Sequence, residues 1–298
     1  MPPPSLLERK RETLRRELDS LRELPTPSQV VHEIWRVLDD ENASAATLAA
    51  VLKRDTALSA RTLRLANSAY FGLPNPCSDV RAACVLLGFE TIRGLAVGVA
   101  ALDGLLRPAA RVLDVPAFWR HSIAVATAAE SLARRLGVPE TGTAFCAGML
   151  HDLGRLVLAA VTPAEYGALL RGVAAADLRA REVETLGASH DEVGDWIGER
   201  WRLPDALREA IGGHHGPGSE DGTWSRWGAL AHVADVLAWR VGHVSAGTPP
   251  EESAAPPVAP EALASLGLDP AAVDKERTAL ESELERIEAF TIAVQGLR

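Results

Sequence analysis

Apolar residues recur along this chain at intervals of three and four, the period of a helix with one buried face, and no stretch of convincing length alternates them as a strand would. The spacing predicts an all-helical fold. In PSQVVHEIWRVLDD the apolar set Val30, Ile34, Val37 and Leu38 lines one face, and Pro27 suits a first turn. SAATLAAVLKRD follows with Ser44 in the capping position, then TALSARTLRLANSAY. FGLPNPCSD holds two prolines, a glycine and Asn75, which demand a turn before the helical period resumes from Val80 to Leu87. From DVPAFWRHSIAVATAAESLARRLG onward the helices lengthen, and Pro116 and Gly137 bracket one of about 20 residues.

A second helical subdomain is expected to begin near Leu113 and to run through TAFCAGMLHDLGRLVLAAV, VETLGASHDEVGDWIGERW, PDALREAIGGHHG and WSRWGALAHVADVLAWRVG. The expected organisation is an N-terminal helix over 1–24, two packed helical subdomains over 25–110 and 111–245, a linker over 246–260 and a helical tail over 261–298. The linker follows from SAGTPPEESAAPPVAPEA, rich in Pro, Ala and Ser with little to bury. In the tail, Val273, Leu280, Leu284 and Ile287 form an approximate heptad seam that predicts either docking on the body or pairing between two chains.

Hydrophobic residues make up 47% of the 298, enough to support a full core. The longest apolar stretches, such as GLAVGVAALDGLL, are broken by Gly and Asp and fall short of the roughly 20 residues of a membrane span. The N-terminus turns charged at once and lacks the apolar core of a secretory signal, so a cytoplasmic protein that does not enter the membrane is expected. Cys77, Cys84 and Cys146 show no CxxC spacing and suit reduced, buried thiols. With 31 basic against 40 acidic side chains the net charge is −9, which repels a polyanion at long range and argues against broad nucleic-acid binding. LERKRETLRR concentrates Arg and Lys, but its interleaved Glu predicts a solvated helix face.

One apolar stretch, AGMLHDLGRLVLAA, changes the picture because it reads as a buried helix and yet carries His151 and Asp152. Burying an unpaired carboxylate costs several kcal/mol, on the order of the whole margin of folding stability. A metal ion, a hydrogen-bonded partner set or a solvent-filled cleft would compensate it. The second half supplies further residues of the same types: His121 opens HSIAVATAAESL, His190 and Asp191 begin HDEVGDWI, His214 and His215 close GGHHGP, and Asp235 lies inside ALAHVADVLAW. Neutral imidazoles and carboxylates from several helices suit a divalent cation such as Mn, Fe, Mg or Zn. A single histidine on an apolar face is more often a hydrogen-bonded core residue, and His32, His232 and His243 are read so.

HSIAVA, AFCAGMLHDLGRLVL and ETLGASHDEVGDWIGERWRLPDALREAIGGHHGP resemble the HDOD family, an offshoot of the HD-type metal phosphohydrolases. LPTPSQVVHEI, VLKRDTALSARTLRLANSAYFGL and VRAACVLLGFETIRGLAVGVA are similar to its amino-terminal part, and together the segments span roughly residues 20 to 240. The resemblance implies an all-helical fold whose second subdomain is an HD-type bundle. It also implies a bacterial signal-transduction module that binds signalling proteins or a nucleotide, in a family with no demonstrated reaction. A homodimer through the C-terminal helix is a further expected association.

The HD pattern falls on His121, His151, Asp152 and Asp235, and the two additional histidines of HD-GYP relatives fall on His190 and His214, with His215 alongside. The resemblance thus implies a site for one or two divalent ions. The alternative function is a metal-dependent phosphohydrolase or phosphodiesterase, with Arg155 where relatives often have lysine and His215 as the residues nearest the chemistry. HHGPGSEDG lacks the GYP signature of cyclic-di-GMP phosphodiesterases. An intact ligand set requires the donor atoms of His121, His151, Asp152 and Asp235 to converge within roughly 4 to 5 Å. His190 and His214 should then face the other side of Asp152, with a pocket lined by Arg155 and His215 beside them.

Overall fold

The computed structural model describes residues 5–20, 33–34, 36–37, 44–87, 92, 105–217, 222–244 and 255–295. Among them run fifteen helices of seven or more residues and no strand, in agreement with the helical period of the sequence. The early ones are α1 (Leu6–Ser20), α2 (Ala45–Leu52), α3 (Thr56–Ala66) and α4 (Val80–Leu87). The middle of the chain forms α5 (Val115–Arg135), α6 (Thr141–Leu150), α7 (Leu153–Val161), α8 (Pro163–Gly172), α9 (Ala175–Leu186), α10 (His190–Arg200), α11 (Asp205–Gly213) and α12 (Arg226–Arg240). The tail forms α13 (Pro260–Leu266), α14 (Pro270–Ser282) and α15 (Leu284–Gln295). Ser44 caps α2 by accepting from the Thr47 amide, and Asp114 caps α5 by accepting from Ala117, with Pro116 in its first turn. Val30, Leu38, His32, the LPTP opening and residues 246–254 of the expected linker lie outside the described residues.

Helix α5 is the hub. It packs on α6, α12, α14 and α15, and it buries Phe118, His121, Ile123, Val125 and Leu132 completely. Helix α10 crosses α7 and α11, and α12 lies across α11, α6 and α13. Thr141–Val161 is long and apolar enough to cross a membrane by composition, but 89% of its apolar window is buried inside the fold. Cys77, Cys84 and Cys146 are buried thiols outside any disulfide, as their spacing suggested.

Three local readings change. AGMLHDLGRLVLAA is not one helix: the chain turns at His151 and Asp152, between α6 and α7, so that both side chains leave a helix end instead of a helix wall. The basic N-terminal helix is not purely solvated, because Leu14 and Leu18 are buried and Arg11 and Arg15 lie over the Trp196 ring, 4.9 and 4.3 Å from its centre. The tail is three helices, and its seam residues Val273, Leu280 and Ile287 are buried in cis. Buried Glu276 of α14 pairs with Arg135 and accepts from Ser131 on α5, which ties the tail to the hub.

Candidate metal centre

Five helix segments deliver the polar residues to one interior point. His121 projects from the second turn of α5, His151 and Asp152 from the turn between α6 and α7, and Asp235 from α12. His190 is the first residue of α10, and His214 is the C-cap of α11 with His215 next to it. The start of α10 is fixed by Glu192, whose carboxylate accepts from the Ser189 amide at 3.1 Å. Asp152 occupies the N-cap of α7, where a carboxylate ordinarily accepts from the first-turn amides, but it makes no such bond. Its oxygens face the histidines instead.

Asp152 divides the cluster in two. Its Oδ2 lies 3.6 Å from His151 Nε2 and 3.7 Å from His121 Nε2, and Asp235 Oδ1 lies 3.2 Å from His121 Nε2. Its Oδ1 lies 3.4 Å from His190 Nε2 and 3.8 Å from His214 Nε2. His215 Nε2 is 2.9 Å from His190 Nε2. The donor atoms form overlapping groups of three, each within 4.8 Å: His121, His151 and Asp235; His151, Asp152 and His214; and His190, His214 and His215. Of the HD-pattern residues, His121, His151 and Asp235 fall in one group and Asp152 Oδ2 lies beside the first two, with His190 and His214 against its other oxygen.

The outer ring nitrogens decide what the inner ones can do. His121 Nδ1 meets the His243 carbonyl at 2.9 Å, His151 Nδ1 the Gly148 carbonyl at 2.7 Å, and His214 Nδ1 the Ile211 carbonyl at 2.8 Å. His190 Nδ1 meets Glu182 Oε2 at 2.6 Å. Carbonyls and carboxylates only accept, so each Nδ1 carries a proton and each ring turns its Nε2 inward. His121 Nε2 and His151 Nε2 stand 3.1 Å apart, turned toward the same interior point. Both Asp152 oxygens and Asp235 Oδ1 are buried without a hydrogen bond from any described residue. Lone pairs and orphaned carboxylate oxygens of this kind fit a cation, and imidazoles oriented through Nδ1 are the usual support of a metal ligand.

Charge reinforces the fit. Burial drives the His151 and His215 pKa values down and that of His214 to about 3, so these rings are neutral. Burial pushes Asp152 up, but Arg155 and the neighbouring imidazoles outweigh it and hold the carboxyl well below the usual range. Burial likewise opposes ionisation of Asp235, yet the His121 ring beside it outweighs that and brings the carboxyl to about 2. For His121 the burial that lowers its pKa is outweighed by Asp235 and Asp152, and the net direction is up. In the cluster the carboxylates are ionised, and the surplus negative charge calls for a cation, the role a proton on His121 partly fills.

Arg155 is buried, with Nε 2.8 Å from Asp152 Oδ1 but not aligned on it as a hydrogen bond, and Nη1 3.6 Å from Glu182 Oε1. His215 is the half-buried member of the cluster. A cleft of about 750 Å³ opens beside α10 and α11, lined in part by Arg179, Asp191, Trp196, Arg208 and Trp224; neither Arg155 nor His215 lines it. Asp191 is turned out of the cluster into a two-bond pair with Arg179, at 2.9 and 3.1 Å. His232 is a satisfied core histidine, bonded at Nδ1 to the His214 carbonyl and at Nε2 to the Ala259 amide. The residue that sequence reasoning missed is Glu182, fully buried, which accepts from the His190 amide, His190 Nδ1 and the Tyr166 hydroxyl. Eight positions and a loop separate it from His190, and no local period signals such a contact.

Comparison with known proteins identifies the family and the fold. The HDOD domain family matches residues 24–217. The crystal structure of an HDOD domain protein of unknown function from Geobacter sulfurreducens superposes with a TM-score of 0.78 at 25% identity, covering 98% of this chain and 99% of that one. A protein from Marinobacter aquaeolei VT8, provisionally described as a signal transduction protein, gives 0.77 at 24% identity, covering 98% of this chain and 67% of its own. Among curated proteins, an uncharacterized protein of Treponema pallidum (strain Nichols) is 25% identical over 205 residues, 66% of this chain. The match spans 38% of that relative's length.

Proposed function

Because the chain belongs to the HDOD family, we propose that it is a bacterial, cytoplasmic signal-transduction module that binds signalling proteins and keeps a divalent cation in its HD-type site. The observation that carries the metal reading is the inward set of Nε2 lone pairs around carboxylate oxygens that accept no hydrogen bond. His121, His151, Asp152 and Asp235 would hold the ion. When bound, a divalent cation supplies Lewis acidity and offsets the buried carboxylate charge. Binding is favoured over turnover as the output, because Asp152 is 1% exposed and Arg155 sits closed between Asp152 and Glu182.

A second reading, a metal-dependent phosphohydrolase acting on a nucleotide phosphodiester, draws on the position of Arg155. Its guanidinium lies beside the bridging carboxylate, where it would offset charge on phosphoryl oxygens. The metal content of protein purified without chelators tests the first reading. Mn, Fe, Mg or Zn should accompany the wild type, and Asp152→Asn, folded by circular dichroism, should lose at least roughly tenfold of it. Unchanged content in the variant overturns the metal site. Hydrolysis of a generic phosphodiester by the metal-replete wild type, abolished in the same variant, would favour the second reading.

A further inference from the structure

Resting on the metal reading above, we infer that Arg155 takes the place of a second cation, so that the chain binds one divalent ion, on the His121 side of Asp152, and not two. The two oxygens of Asp152 have different company. Around Oδ2 stand His121 and His151, with the Asp235 carboxylate against His121 and no guanidinium among them. Around Oδ1 stand His190 and His214, and here Arg155 Nε approaches to 2.8 Å, closer than any histidine. The far end of the guanidinium faces Glu182, 3.6 Å from Nη1, and Glu182 in turn holds His190. Arg155 is therefore braced on the carboxylate oxygen that a second ion would need. At 5% exposure it has little water to retreat into.

Charge counting gives the same answer. Counted over its carboxylates and guanidinium alone, the centre sets Asp152, Asp235 and Glu182 against Arg155, all buried, a balance of −2. One divalent ion brings that to neutrality. A second would leave two positive charges in excess in an interior of low dielectric, beside a guanidinium that cannot lose its proton. The two sides also differ in ligands. The His121 side offers two carboxylate oxygens and two imidazoles, whereas the His190 side offers three imidazoles and one carboxylate oxygen already paired with Arg155.

The test is the number of ions per chain after loading the full-length protein with Mn or Zn and removing the excess, measured by elemental analysis and by native mass spectrometry. The wild type should hold one ion, His121→Gln should lose it, His215→Gln should keep it, and Arg155→Met should hold two. Two ions on the wild type would overturn the inference and leave the metal reading standing, while none would overturn both. An ion lost in His215→Gln but kept in His121→Gln would place it on the wrong side and also overturn it. One ion in a folded Arg155→Met chain would show that the guanidinium is not what keeps a second out. Should that variant fail to fold, the wild-type count and the two histidine variants still decide.

Discussion

Burying the Glu182 carboxylate is costly unless its lone pairs find donors, and the donors it finds are the parts of the centre that need holding: the His190 amide and ring, and the Tyr166 hydroxyl. The ring bond fixes the His190 tautomer, which points Nε2 at Asp152. Glu182→Ala would leave Arg155, Tyr166 and the His190 amide buried and short of a partner. We expect a loss of about 3 to 5 kcal/mol in denaturant unfolding, the range for removing one partner of a buried ionic network. Metal affinity should fall on the order of 10- to 100-fold, the usual effect of deleting a ligand's support. Unfolding at the wild-type denaturant concentration would show that the carboxylate supports nothing. At this scale the candidate ligands are legible because histidine and aspartate stand out in apolar runs such as GMLHDLGRL. Glu182 was not, because AADLRAREVETL reads as an ordinary solvated face and only tertiary packing buries it.

Between elements, the centre depends on two helices lying closer than side chains permit. A Cβ on Gly154 of α7 would stand 1.8 Å from the His190 carbonyl oxygen of α10 and 2.8 Å from the Gly194 amide. These are backbone atoms that cannot rotate aside, so Gly154→Ala must push α7 and α10 apart, and with them Asp152 and His190. The expected cost is roughly 3 kcal/mol or more, the upper end for overpacking, together with reduced metal binding. Gly172→Ala at the end of α8 has open space around its Cβ and serves as the control, with a change within about 0.5 kcal/mol. Equal thermal midpoints for the two variants would refute the close-approach argument. Helix spans bounded by strong punctuation were readable from sequence: Pro116 and Gly137 bracket α5, and Ser44 caps α2. The break at His151 and Asp152 was not, since LHDLGRL has nothing that stops a helix locally. The turn follows from the packing of α6 on α5 and of α7 on α10.

Across the whole molecule, the tail helix α15 joins the early helices to the hub, and the joint is built around Tyr70. Its ring packs on Phe71 and Phe290 with centroids 4.8 and 5.0 Å away, its hydroxyl meets Thr127 of α5, and its carbonyl accepts from Arg286. Burial pushes its phenol up to about 12; Glu130 adds to the rise, and the Thr127 bond and Arg286 oppose it. In the unfolded chain the same group ionises near 10. Above that pH the unfolded state releases a proton that the folded state keeps, so folding stability is fully present below pH 10 and is lost as pH rises toward 12. Two pKa units correspond to about 2.7 kcal/mol, so Tyr70→Phe should decline less steeply over that window by about 2 to 3 kcal/mol. Tyr166, the other of the chain's two tyrosines, is also pushed well up by its burial. Phenolate absorbance should therefore stay silent above pH 10 until the fold opens, and should then rise together with the loss of helical circular dichroism. A tyrosine that titrates near pH 10 in the intact wild type would mean that the tail does not seal Tyr70, and that the docking of α15 on α3 and α5 is looser than this packing requires.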